Sequence, residues 1–254
     1  MTDIIILIIL ALASYMFGNI NWAIIISKSK KQDIRKMGSG NPGTLNMSRN
    51  LGLKFGLLTF FLDIMKGVVP TLVAFFVFRE KYFFNSEFVI SDLAIYLCGL
   101  CVVLGHIYPV VFKFKGGKGI ASTIGVFIAC EAVSEGPWIV VIIMALVAAL
   151  VFIYLTEFGA MGSFIAITPP VVASLIRLYV LYGKYVGDLT MVLFIITNTI
   201  IFAICFFTWF AHRRNIERML AGDEHPTSIK EMVVKMKAKK ALKEKELKEK
   251  ENAN

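Results

Sequence analysis

Apolar runs of about 20 residues recur along almost the whole chain, separated by short segments rich in Gly, Pro, Lys and Arg. Each run is long enough to cross ~30 Å of hydrocarbon as a helix. Spans are predicted at 3–27, 55–78, 91–112, 119–135, 138–156, 163–182 and 189–211. The expected fold class is an all-α membrane protein, a polytopic bundle of about seven transmembrane helices. The fourth run is short and ends in a polar corner from Glu131 to Pro137. A five-crossing bundle, with 119–156 folded differently, is the alternative count. The first run, Ile4 to Ile26, follows Asp3 rather than a basic stretch and has no small-residue cleavage site, so it is expected to stay in the mature protein.

Charge orients these spans. Segment 28–54 carries seven Lys and Arg and segment 113–118 carries three, whereas the loops on the other side hold only Arg79, Lys81 and Lys184. Basic loops stay in the cytoplasm, which predicts an outside N-terminus and a cytoplasmic C-terminus. The transmembrane domain is expected over 1–224 and a charged cytoplasmic tail over 225–254. The tail interleaves Lys with Glu, and a weak apolar stripe through Met232, Val233 and Met236 suits an anionic leaflet.

Composition agrees with a membrane protein: 57% of the 254 residues are apolar and 18% charged, against ~25% charged in an average soluble domain. The net charge of +9 falls mostly between apolar runs or in the tail. That pattern suits topogenic loops beside anionic lipid and offers no soluble basic face for nucleic acid. Cys98, Cys101, Cys130 and Cys205 lie inside apolar runs and are read as core residues, with no disulfide framework or metal site expected. No cofactor is expected either.

Three polar segments are unlike topogenic loops. Residues 38–52, Gly38-Ser39-Gly40-Asn41-Pro42-Gly43-Thr44-Leu45-Asn46-Met47-Ser48-Arg49-Asn50-Leu51-Gly52, combine glycines that admit close backbone approach with neutral donors and an arginine fork suited to phosphate. The second segment runs from Gly105-His106 to Lys113-Phe114-Lys115-Gly116-Gly117-Lys118-Gly119, just before a predicted helix. Its amides and the helix dipole are expected to face an anion. It is not a nucleotide P-loop, because Phe112 stands at the first glycine position and Gly119 follows the lysine. The third, His212-Arg213-Arg214-Asn215-Ile216-Glu217-Arg218, is a basic helix end in which His212 and Asn215 share a face. Within the second span, Asp63 and Lys66 also share a face, and the sequence leaves open whether they are a structural ion pair or catalytic.

Together these segments resemble the motifs of the bacterial acyl-phosphate:glycerol-3-phosphate acyltransferases (PlsY type). The family pattern GSGNxGATNxxRxxG with LDxxKG corresponds to Gly38–Gly52 and Leu62–Gly67, GHxxPxxxxFKGGKGxA to Gly105–Ala121, and HRxNIxRLxxGxE to His212–Glu224. The resemblance spans 3–224. It implies seven transmembrane helices, a cytoplasmic active site, and phosphate-binding roles for Ser39, Arg49, Lys118 and His212, with Asn215 beside them. Gly40, Asn41, Gly43, Asn46, His106, Lys115, Gly116, Gly117 and Gly119 are candidates for the substrate pocket, and Asp63, Lys66 and Glu217 for its support. The chain departs from the family at Thr44-Leu45, in place of Ala-Thr, and at Gly162-Ser163, where a serine has given way to glycine.

The implied substrates are acyl-phosphate and glycerol 3-phosphate, the surroundings membrane lipid, and a soluble acyl-phosphate-synthesising enzyme a further partner. The implied location is the bacterial plasma membrane. Of the bases on offer, His212 lies among arginines that disfavour its protonation, so the substrate's own phosphate is expected to take the hydroxyl proton. The thioester-type pattern His-x-x-x-x-Asp is matched only by His212 and Glu217, which stand about 140° apart on a helix. A transporter for a phosphorylated solute would need polar groups near the midplane and repeated halves; the polar motifs here gather on one side and no repeat is visible.

Overall fold

The computed structural model describes residues 1–134 and 136–224, together with 226–228, 230, 231, 233, 234 and 238. The expected tail stripe falls largely outside the described residues, at Met232 and Met236. The first apolar run forms two helices, α1 (Thr2–Gly18) and α2 (Trp22–Ser29). The break comes at Asn21, whose Oδ1 accepts the Ile24 amide at 3.0 Å and caps α2. A polar segment then carries α3 (Thr44–Leu51), followed by α4 (Leu53–Phe78), α5 (Ile90–Ile107) and α6 (Ile120–Ala132). Helices α7 (Ile139–Thr156), α8 (Gly159–Tyr182), α9 (Leu189–Phe210) and α10 (Arg213–Ala221) follow.

Six stretches among the described residues are long and apolar enough to cross a membrane. The fourth run is the exception, because α6 has 13 residues and therefore reaches only ~20 Å. Residues 119–156 thus fold as one short and one full-length helix. The far end of α6 is tied down by polar bonds. Ser174 donates to Glu131 Oε1, Arg177 lies 3.1 Å from Asp92 and also donates to Tyr96, and Tyr182 donates to Asp92 at 2.6 Å. Such groups are costly in an apolar layer unless they find one another, and here they join α5, α6 and α8.

Between apolar helices there is little hydrophobic drive in lipid, so contact depends on close fit and small residues. Gly67 of α4 and Gly125 of α6 provide it. A Cβ on Gly67 would strike the Ser122 carbonyl, and one on Gly125 the Ile64 carbonyl. Gly18 and Gly105 do the same for α1 and α5. These crossings set the depth at which α6 begins. Successive spans alternate in direction, so the segment before α4, the α5–α6 loop, the α7–α8 turn and the end of α9 gather at one end of the bundle.

Candidate active site

Side chains from all three motifs meet at that end. Lys118, just ahead of α6, donates its ammonium to Asn215 Oδ1 on the first turn of α10. Asn215 is buried, and its Nδ2 donates to Glu224 Oε1 at 2.6 Å. The other oxygen of Glu224 accepts from Arg218 Nε at 3.0 Å. Arg49, in the last turn of α3, lies within range of the charges of Glu224 and Arg218 and donates to Thr227 Oγ1. His212, at the start of α10, is buried and its charge state responds to Lys118. Among the described residues, three cations therefore share one region with a single neutralising carboxylate, an arrangement that favours a bound polyanion.

Electrostatics follow from burial. Lys118 is half-buried, and burial lowers its ammonium to about 8, with Glu224 opposing and Arg218 and Arg49 adding to the drop. Burial, assisted by the Lys118 charge and opposed by the bond to the Thr208 carbonyl, lowers His212 to about 4. The neighbour that disfavours protonation is thus Lys118, whereas the sequence points to the arginines. His212 Nδ1 lies 2.9 Å from Thr208 O, an acceptor, so Nδ1 carries the proton and Nε2 holds a lone pair. Thr208 also touches Thr123 at 3.1 Å, which fixes the end of α9 to the first turn of α6. Phe164 packs edge-on to His212 at 5.3 Å and stacks on Trp209 at 4.3 Å, giving the site an apolar wall towards the membrane.

Asn46 proves to be the pin of its loop. It is 2% exposed, and its Nδ2 donates to Ile34 O at 3.2 Å and Met37 O at 3.0 Å. Its Oδ1 accepts from the Ser39 amide at 3.2 Å and from Asn50 at 2.9 Å. All four bonding positions of the amide are used, which leaves none for substrate. Gly38 lies against it at φ +53, where a Cβ would meet Asn46 and Asn50, so only glycine fits. Ser39 is exposed and, among the described residues, bonds within the loop, to Asn46 and Asn41. Gly40 and Asn41 carry the chain to Gly43, the residue preceding α3, which has no side-chain cap.

The glycine loop also differs from expectation. The amides of Gly116 and Gly117 are not free for an anion; they donate to Ile107 O and His106 O at 3.2 and 3.1 Å. Their missing side chains serve packing, since a Cβ on Gly116 would strike the His106 carbonyl and one on Gly117 the His106 ring. Gly119, at φ +85, turns the chain into α6, which has no side-chain cap either. The amides without an intrahelical partner are therefore those of the first turn of α6, not the glycine pair. Lys115 is exposed on the loop surface.

His106 leaves the expected pocket set. It is buried, with Nδ1 2.9 Å from Lys66 Nζ. Lys66 also lies 3.1 Å from Asp63 and donates to Ile20 O at 2.7 Å. Ammonium can only donate, so His106 Nδ1 accepts. Asp63, Lys66 and His106 thus form a buried support that joins α4 to α5 and backs Gly117, which favours the structural alternative for the ion pair. Glu217 is exposed and outside the cluster; the carboxylate that serves it is Glu224. The sequence points to no role for Glu224 or Thr227. Glu224 closes the third motif and was open to suspicion on that ground, whereas Thr227 meets Arg49 across 178 positions and leaves no local signal.

Fold and site together define a multi-pass membrane protein with a cluster of cationic side chains at one end of its bundle. The family model described as glycerol-3-phosphate acyltransferase matches residues 8–222. A glycerol-3-phosphate acyltransferase of Mycoplasmopsis pulmonis is 37% identical over 232 residues, covering 87% of this chain and 94% of that one. One from Aquifex aeolicus is 35% identical, covering 85% and 96%. The crystal structure of PlsY (YgiH), an integral membrane glycerol 3-phosphate acyltransferase, in its glycerol 3-phosphate form, superposes with a TM-score of 0.68 at 30% identity, covering 89% and 98%. The chain belongs to the glycerol-3-phosphate acyltransferase family.

Proposed function

We propose that the chain, working in the bacterial plasma membrane, transfers a fatty acyl group from acyl-phosphate to the 1-hydroxyl of glycerol 3-phosphate, giving lysophosphatidic acid for phospholipid synthesis. The convergence of Arg49, Lys118, His212 and Asn215 from three distant segments is the observation that carries this reading. Acyl-phosphate is a mixed anhydride with an activated carbonyl and a good leaving group. The hydroxyl oxygen bonds to the carbonyl carbon, the carbonyl–phosphate bond breaks with its electron pair on phosphate, and the hydroxyl proton is passed on. Two phosphates must approach one another, and Arg49, Lys118 and the first-turn amides of α6 offset that repulsion while fixing geometry.

The proton goes to phosphate rather than to a side chain. A phosphate monoester's second pKa lies near ~6, so the dianion is a stronger base than His212 at about 4. His212, with Nε2 free to accept, orients the hydroxyl. Ser39, exposed on the first loop, joins Arg49 and Lys118 in binding the substrate phosphate, and the N-terminus faces outside with the site on the cytoplasmic side, as the Lys and Arg distribution supports. That placement suits delivery by a soluble acyl-phosphate-synthesising enzyme. The test is Lys118→Ala in purified protein. Loss of a ground-state phosphate contact raises KM for glycerol 3-phosphate and spares kcat; an unchanged KM would remove Lys118 from this role.

A further inference from the structure

Two arginines stand at the cationic site, and they are held differently. Arg218 is paired with the Glu224 carboxylate at 3.0 Å, so its charge is already compensated. Arg49 is exposed and is held by a neutral hydroxyl, Thr227 Oγ1. A hydroxyl can orient a guanidinium without neutralising it, which leaves the charge and the other N–H groups of the fork for an anion.

Thr227 is itself firmly placed, although it lies in the segment that sequence assigns to the tail. It is 1% exposed, and its amide donates to the Glu157 carbonyl in the α7–α8 turn at 2.8 Å. Its hydroxyl occupies space that exists because residue 159 is glycine. A Cβ on Gly159 would stand 2.7 Å from Thr227 Oγ1, 3.3 Å from Thr227 Cβ and 3.0 Å from Leu45 Cδ1. Three residues earlier, Glu224 is anchored to Asn215 and Arg218. The segment after Gly222 is therefore fixed at two points, one on α10 and one on the α7–α8 turn, with Arg49 beneath the second.

We propose that Thr227 is the positioning residue for Arg49, and that the start of the C-terminal segment belongs to the active site by aiming the guanidinium at the phosphate of glycerol 3-phosphate. This rests on the reading of Arg49 as a phosphate ligand. Gly159 is the matching half of the device, kept without a side chain so that the hydroxyl can enter.

Full-length protein carrying Thr227→Val, Thr227→Ser, Thr227→Ala, Gly159→Ala or the pair Thr227→Ala/Gly159→Ala is assayed with acyl-phosphate and varied glycerol 3-phosphate. Thr227→Val raises KM for glycerol 3-phosphate about tenfold, the order expected for one charge-assisted hydrogen bond, with kcat and KM for acyl-phosphate nearly unchanged. Thr227→Ser restores KM to about twice the wild-type value or better. Gly159→Ala reproduces the Thr227→Val defect, and adds little once residue 227 is alanine, as coupled neighbours do. A wild-type KM in Thr227→Val, a defect that serine does not rescue, or additive effects at 159 and 227 would overturn the proposal. Failure of the parent reading looks different: Arg49→Ala would itself leave KM for glycerol 3-phosphate at the wild-type value.

Discussion

Replacing Asn46 by aspartate exchanges an amide donor for an oxygen while keeping the size of the side chain, and it separates a loop pin from a substrate ligand. The carbonyls of Ile34 and Met37 accept from Asn46 Nδ2 at 3.2 and 3.0 Å. In the variant both face a carboxyl oxygen instead. A buried polar group left without its partner costs ~1–3 kcal/mol, so two of them destabilise the fold by roughly 2–6 kcal/mol. At ~2–4 °C per kcal/mol for a chain of this size, about 3 kcal/mol lowers the melting temperature by roughly 6–12 °C. The sign with pH is also fixed. Burial beside two carbonyls raises the carboxyl's pKa in the folded state, and the protonated acid has one O–H to return, so the deficit narrows as pH falls and widens as it rises. Thermal unfolding of the purified protein in detergent at pH 5.5 and 8 measures this, with Gly38→Ala, whose Cβ would strike the same amide, as a second perturbation. An Asn46→Asp enzyme with unchanged melting and only a raised KM for glycerol 3-phosphate would refute the loop-pin argument and return Asn46 to the ligands.

With Lys118 at about 8 in the free enzyme, kcat/KM for glycerol 3-phosphate falls as pH rises through that value, because the charged form binds phosphate; Lys118→Arg removes this limb, and a wild-type profile flat to pH 9.5 contradicts it. His212→Ala mainly raises KM; a normal KM with kcat down ~10²–10⁴-fold and rescued by imidazole would make His212 the base. Asp63→Asn leaves the buried Lys66 ammonium uncompensated and costs about 3–5 kcal/mol, whereas Asp63→Leu/Lys66→Met regains most of that stability with substrate KM intact; a double variant that folds but cannot turn over would assign the pair to chemistry. In a background without the four native cysteines, cysteines at the exposed positions 54 and 115 resist impermeant thiol reagents in intact cells while one at 184 reacts, and the opposite labelling would invert the topology.

Much of the bundle is legible because lipid imposes a simple rule on sequence: a backbone in hydrocarbon must bond to itself, so long apolar runs become helices. The same rule is silent on breaks made by single side chains. Asn21 splits the first run by capping α2, whereas the polar corner from Glu131 to Pro137, which is visible in sequence, leaves α6 with 13 residues. Clustering of Arg49, Lys118 and His212 is anticipated by the family motifs, since each motif is a polar island beside a span. Local patterns cannot divide the members of an island into ligands and supports. His106 and Asn46 have the chemistry of ligands, yet long-range contacts to Lys66, Ile34 and Met37 consume their bonding capacity. Gly116 and Gly117 likewise suit an anion loop in sequence, but their amides close onto the end of α5. Thr227 is invisible for the complementary reason: nothing near it in sequence announces Arg49.

The central claim is the reaction and its donor. Purified protein in lipid or detergent is given radiolabelled glycerol 3-phosphate with palmitoyl-phosphate, palmitoyl-CoA or palmitoyl-acyl carrier protein in parallel, and the products are separated. Labelled lysophosphatidic acid with stoichiometric release of inorganic phosphate from palmitoyl-phosphate, and none from the two thioesters, is the predicted outcome. Robust product from palmitoyl-CoA alone, or no product from palmitoyl-phosphate, would contradict it.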